Sequence, residues 1–439
     1  MTSMPSLSVR AARRVRPVGF RSASHRPKGL RWVMAAEVLA SALGFAVMVH
    51  LARDLGPSSF ARFEFAAAVA AWLLVVVRGG VDTIVYREAA RRPSLIRPLT
   101  EVLIGLRGLA ALGAYACVLA LAALVGSERG MVVAVAGLLL FPSVFVTDVG
   151  LRVSGRLGWI ALAQVVRSLA YVGFALSVVR SPGDVLRAGW CLVLAEVGGA
   201  LVPFVWHVGG FGWPRVRFRR RAWVVVARRG MIAGLTRFGR VSLYGADLLV
   251  LGWWAGAEFG AYAAARRIVF GLVALGLVLP ASLAPAIARQ WACGTSLARG
   301  LIEDSMLRLW ALSVPAGLVL MVMAGRWMPL LFGDGYRDGG PWLALIAARL
   351  PWLLTASFIQ AALVACRRES WVLDQTVGLV VLAVILVPVS AAVAGPWGVG
   401  WSLLMIEFVA AVSGWRMLGR LGLTPRWSVR RERLRGNFP

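Results

Sequence analysis

The chain has 439 residues, 59% of them hydrophobic and only 15% charged, with a mean hydropathy of +0.75. A soluble domain carries about 25% charged residues, whereas the apolar residues here come in runs that reach the roughly 20 needed to cross a bilayer, which excludes a soluble fold. The net charge of +28 does not mark a nucleic-acid protein, because the arginines fall in short segments between apolar runs and form no continuous stripe.

Residues 1–30 are rich in Arg, Ser and Pro and contain no compact apolar stretch. Ala40-Ser41-Ala42 has the look of a cleavage site, but Glu37 interrupts the stretch before it and the apolar run continues beyond. A retained first helix behind a basic tail is therefore expected. About twelve transmembrane helices follow, near 31–52, 62–85, 100–125, 131–149, 159–179, 185–208, 231–254, 261–287, 304–324, 341–365, 371–393 and 397–418. One set of connections is basic: the N-terminal tail, Arg87 to Arg97, Arg152 with Arg156, Arg215 to Arg229, Arg289 to Arg299, Arg367-Arg368 and the tail from Arg420. The alternate set, 53–61, 127–130, 180–184, 255–260, 325–340 and 394–396, is short and turn-like. The first set holds about 31 Arg and Lys against about 6 in the second, which places the basic side and both termini in the cytoplasm. Many of the 19 tryptophans fall at predicted helix ends, among them Trp159, Trp327, Trp342 and Trp397, where an indole keeps its ring buried and its N–H wet.

The chain repeats at half length. Gly56, Phe60 and Phe63 after the first helix match Gly256, Phe259 and Tyr262 after the seventh, with one residue of slip. Both copies follow an odd-numbered helix and so share one orientation, the mark of a parallel repeat. The expected division is a tail (1–30), an N-terminal six-helix lobe (31–208), a basic linker (209–230), a C-terminal six-helix lobe (231–418) and a second tail (419–439).

Three stretches carry a family resemblance: Leu55-Gly56-x-x-x-Phe60-x-x-Phe63, Asp247-x-x-x-Leu251-Gly252 … Phe259-Gly260-x-Tyr262-x-Ala264-Ala265-Arg266, and Leu331-Phe332-Gly333-Asp334-Gly335-Tyr336. Over about residues 31–418 the sequence resembles the polysaccharide flippases of the multidrug/oligosaccharidyl-lipid/polysaccharide exporter superfamily. Ala61 departs from the glycine usual there. The resemblance implies an all-α polytopic membrane protein of two pseudo-symmetric lobes around a central cavity, in the plasma membrane of a bacterium. It also implies alternating access that carries a polyprenyl-pyrophosphate-linked oligosaccharide to the outer leaflet for cell-surface polysaccharide assembly. The implied partners are that substrate, membrane lipids, and the polymerase or glycosyltransferases that handle the glycan.

A pyrophosphate calls for fixed cations in a protected cavity, and Arg offers a planar fork for phosphate oxygens. An Arg near the membrane centre costs about 2.5–3.5 kcal/mol on insertion scales, so it must face water or a partner. On helix 7, Arg237, Arg240, Tyr244 and Asp247 are spaced 3, 4 and 3 and share one face. Arg78, Arg107, Arg167 and Arg240, on four helices, lie roughly 10–14 Å from their cytoplasmic ends at 1.5 Å per residue. Arg78, Arg107, Arg167, Arg237, Arg240 and Tyr244 are thus the candidate substrate-binding residues, with Arg78 and Asp82 open to a structural i, i+4 pair. The candidate coupling carboxylates are Asp247, Glu37, Asp82, Glu196 and Glu407, with H+ and Na+ both open and no other cofactor expected. Asp247 either couples transport or merely neutralises its neighbours; Arg266, Arg267 and Arg349 are equally two-sided. No phosphate loop, metal cluster or nucleophile–base pair stands out, which argues against an enzyme. A multidrug or small-molecule exporter of the same superfamily would want a more apolar or acidic cavity. A membrane glycosyltransferase or polymerase would want an outer loop larger than 325–340.

Overall fold

A computed structural model describes residues 28–424 apart from Arg217, Arg219 and 254–256. Most of both basic tails, and Gly256 of the repeat, lie outside the described residues. Among the described residues the long elements are all helical: α1 (Lys28–Arg78), α2 (Val81–Arg91), α3 (Ile96–Val125), α4 (Ser127–Gly137), α5 (Leu140–Val144), α6 (Val149–Val153), α7 (Leu157–Val178), α8 (Val185–Phe211), α9 (Arg220–Gly252), α10 (Ala257–Gly276), α11 (Val278–Cys293), α12 (Thr295–Val322), α13 (Ala324–Phe332), α14 (Gly340–Ala347), α15 (Leu350–Ala365) and α16 (Glu369–Arg420).

Eight helical segments among these residues are long and apolar enough to cross a membrane. Two of them are too long for one crossing. The 57-residue stretch Ala35–Arg91 would extend about 85 Å at 1.5 Å per residue, against a hydrocarbon core of about 30 Å. It breaks at Gly56 (φ 70°, ψ 168°), one residue before Pro57, and again at Gly79 and Gly80, which also take positive φ. The 52-residue α16 breaks at Ala394–Gly395, ahead of Pro396. Glycine supplies the left-handed backbone and proline withholds the next helical N–H, so the turns lie where the sequence punctuates the apolar runs.

Three boundaries differ from expectation. The predicted helix 131–149 is divided into α4, α5 and α6, because Pro142 cannot donate to the carbonyl four residues back. The predicted connection 325–340 contains α13, whose Ala324, Met328 and Phe332 form a buried stripe at helical spacing. The basic linker is shorter than 209–230, since α8 continues to Phe211 and α9 begins at Arg220.

The chain forms two compact units. Among the described residues, the first comprises those up to Gly44, Val69–Val178 and Leu186–Phe238; the second comprises Phe45–Ala68, Val179–Val185 and those from Gly239 onward. Within the first, Val81, Val85, Ala89, Leu99, Leu103 and Val226 form a buried apolar cluster beside the basic connections. A Cβ on Gly80 would stand 2.2 Å from the Gly234 nitrogen, so the two glycines are what let the start of α2 lie directly on α9. Within the second, Trp342 is buried and stacked on Trp397 with centroids 3.9 Å apart. It is a packing residue, not an interfacial one.

Candidate functional site

In the first unit Arg78, Arg107 and Arg167 find partners across helices. Arg107 on α3 is almost fully buried; its Nη2 donates to Asp82 Oδ1 at 2.6 Å and its Nη1 to the Val146 carbonyl at 2.9 Å. With a 2% exposed side chain, Arg107 and Asp82 neutralise each other inside the unit. The alternative Arg78–Asp82 pair does not form. Arg78 turns instead to Glu196 on α8, at 3.3 Å, and Arg167 on α7 reaches the other oxygen of the same carboxylate at 3.4 Å.

One carboxylate therefore serves two guanidinium groups through two long contacts. The Arg78 Nε is buried with no hydrogen-bond partner, and the Arg167 side chain is 46% exposed. A Cβ on Gly199 would come within 3.0 Å of the Arg167 stem, so this glycine makes room for the arginine one turn from Glu196. Arg237, exposed on α9, lies close enough to act electrostatically on Arg78. The group has a net positive charge, a spare buried donor and an open side, the properties an anion site needs. Glu37 is exposed on α1 and accepts a bond from Gln164 at 2.9 Å.

In the second unit Asp247 on α9 is fully buried. It accepts from Arg266 Nε at 2.7 Å, from the Tyr262 hydroxyl at 2.8 Å and from the Leu248 amide at 2.8 Å. Arg349, between α14 and α15 and 1% exposed, lies 3.7 Å from Asp247 and 3.5 Å from Glu407 on α16. Arg266 also donates to the Tyr244 carbonyl, and the Tyr244 hydroxyl meets Ser357 Oγ at 3.1 Å. Two cations and two carboxylates thus close a neutral buried set. The charges answering Asp247 come from Arg266 and Arg349, whereas the helical stripe had pointed to Arg237 and Arg240. Arg240 is half-buried one turn after Arg237.

The three motifs of the resemblance meet in this same unit. The Tyr336 hydroxyl donates to the Ala52 carbonyl at 2.7 Å, and its ring packs edge-on against Phe60. Arg53 donates to the carbonyls of Leu330 and Leu331 at 2.6 and 2.7 Å. A Cβ on Gly260 would fall 2.0 Å from the Pro57 carbonyl oxygen. Glu64, 1% exposed, receives both Nε and Nη2 of Arg267 at 3.0 and 2.9 Å. The hairpin 45–68 is thereby clamped within the second unit. Sequence reasoning missed Glu64, although it directly follows the Phe60-x-x-Phe63 motif.

No curated protein sequence matches the chain. Solved structures with a similar fold include the lipid II flippase MurJ in an inward closed conformation, at 12% identity and TM-score 0.73 over 90% of this chain and 88% of that one. A multidrug resistance MATE family transporter of the MOP superfamily in its inward-facing conformation aligns at 16% identity and TM-score 0.63 over 90% and 98%. An outward-facing MATE transporter of that superfamily gives 17% identity and TM-score 0.54 over 91% and 98%. Residues 27–291 match the profile of the polysaccharide biosynthesis proteins. With more than half its length under that profile and with the fold of the MOP superfamily transporters, the chain is a multi-pass membrane protein of the polysaccharide biosynthesis protein family.

Proposed function

We propose that this protein is a flippase that carries a polyprenyl-pyrophosphate-linked oligosaccharide from the cytoplasmic to the outer leaflet of a bacterial plasma membrane. The observation that carries the reading is the Arg78–Glu196–Arg167 group. Two guanidinium groups share one carboxylate, a buried Arg78 donor has no partner, and Arg167 remains open. A pyrophosphate brings the acceptor oxygens this group lacks. Arg237 adds positive charge, while Arg107 is spent on Asp82.

The excess of arginine in the basic connections favours their placement in the cytoplasm. Lobes 31–208 and 231–418 would then alternate in access. A multidrug exporter is the weaker reading, since a surplus of arginine repels organic cations. A polymerase or glycosyltransferase would act next to this protein on its lipid-linked substrate.

The test is export of lipid-linked glycan from cells or inverted vesicles. A charge-assisted hydrogen bond contributes about 1.5–3 kcal/mol, so Arg167→Ala and Arg240→Ala should each weaken substrate engagement roughly 10- to 150-fold. Arg240→Lys should recover part of the loss, because it keeps the charge without the fork. Normal export by the combined alanine variant, at normal protein level, would defeat the assignment.

A further inference from the structure

A cavity of about 550 Å³ opens in the first unit, lined by none of the Arg78 group and formed beside the basic connections. It is lined by Ile84, Arg87, Glu88 and Arg91 of α2 and by Arg228 and Arg229 of α9. These helices come together through Gly80 against Gly234, and through Gly230, whose Cβ would meet the Val81 backbone at 3.1 Å. The glycine contact brings two arginine pairs, more than 130 residues apart in sequence, to one concave surface. Arg229 pairs with Glu88 at 3.6 Å. Among the described residues no carboxylate stands within ion-pair distance of Arg87, Arg91 or Arg228. Four guanidinium groups thus face one carboxylate, next to the apolar side chain of Ile84.

We infer that this cavity binds the phosphate headgroup of an anionic membrane phospholipid from the leaflet on the basic side. Positive-inside bias alone would leave these arginines spread along solvated loops. Here they converge in a pocket at the end of a membrane span, which suits a headgroup whose acyl chains remain in the bilayer. Each arginine near an anionic lipid contributes about 1 kcal/mol, or about fivefold in affinity.

The test uses the purified full chain in an uncharged detergent, titrated calorimetrically with dioctanoyl phosphatidylglycerol, dioctanoyl phosphatidylcholine and inorganic pyrophosphate. Phosphatidylglycerol should bind well above phosphatidylcholine. Arg87→Gln with Arg228→Gln should weaken it roughly 25-fold, while lysine at both positions retains most of the binding and shows that the pocket still forms. Arg326→Gln, exposed on α13 and no part of the cavity lining, should leave it unchanged. Equal binding of the two lipids, or parent-like binding by the paired glutamine variant, overturns the inference. So does pyrophosphate binding that depends on Arg87 and Arg228 without phosphatidylglycerol binding, which would make the site one for a soluble anion. Lipid binding lost in Arg167→Gln but kept in the paired variant would move the site to the proposed transport group, and would overturn this location while leaving the flippase reading intact.

Discussion

Asp247→Asn separates a structural carboxylate from a coupling one. In the folded chain Asp247 is inaccessible and takes bonds from Arg266, Tyr262 and its neighbour's amide, with Arg349 at 3.7 Å. Asparagine keeps one acceptor oxygen but sets an NH2 against donors, and leaves Glu407 to balance two buried guanidinium groups. Removing one partner from a buried ion pair costs about 3–5 kcal/mol, because the other charge stays buried and uncompensated. At about 2.1 cal/mol/K per residue, 439 residues give an unfolding entropy of about 0.9 kcal/mol/K. The thermal midpoint should therefore fall by about 3–5 °C in a fluorescence-detected size-exclusion melt. The double variant Asp247→Asn with Arg266→Gln should lose less than the sum of the two single variants, since it removes both halves of one interaction. An unchanged midpoint together with lost transport would refute this account and make Asp247 a coupling residue.

Other expectations concern the clamp, a thiol and the topology. Gly260→Ala forces a methyl onto the Pro57 carbonyl, so folded protein recovered from membranes should fall sharply; normal yield would show that the hairpin gives way. Glu64→Gln should loosen the 45–68 clamp, raising maleimide labelling of a cysteine placed at Gly335, and labelling equal to the parent's would mean that Arg53 and Tyr336 suffice. Cys366, in the turn between α15 and α16, is buried, and burial pushes its thiol up from 9.0 to about 11 despite nearby Arg368. A raised thiol pKa lowers the thiolate fraction at any pH below it, about 100-fold at pH 8, so Cys366 should resist maleimide there while exposed Cys293 reacts; equal rates would contradict its burial. In intact cells, single cysteines at Ser181 and Gly335 should label from outside and one at Ser94 should not, and outside labelling at Ser94 would reverse the proposed orientation.

The all-helical, membrane-spanning character and the breaks at Gly56 and Gly395 were legible, because apolar runs, glycine and proline act locally. The partners of the buried charges were not. Helical spacing placed Arg237, Arg240, Tyr244 and Asp247 on one face, yet Asp247 is satisfied from α10 and from the turn before α15. Spacing also allowed Arg78 with Asp82, but tertiary packing gave Asp82 to Arg107 and Arg78 to Glu196. An i, i+4 contact is worth a few tenths of a kcal/mol, too little to compete with a buried partner on another helix. Glu196 was identifiable as a buried acid, but its service to two arginines depends on how α7 and α8 pack. The family motifs were read as turns; that they pack against one another required the fold.

The clamp on 45–68 also sets an order of events during synthesis. Arg53 lies 277 and 278 residues ahead of the carbonyls it holds, and the Tyr336 hydroxyl reaches back 284 residues to Ala52. At 5–20 residues per second, the hairpin waits roughly 14–56 s between leaving the ribosome and meeting α13. Glu64 waits for Arg267 across 203 residues, on the order of 10–40 s. During that interval the carboxylate has no guanidinium, and Arg53 has no carbonyls from α13. Both lie near the tip of a hairpin, where interfacial water can hold them. The early hairpin must therefore remain inserted on the strength of its own apolar flanks. Variants that weaken those flanks should be cleared before the second half of the chain is made.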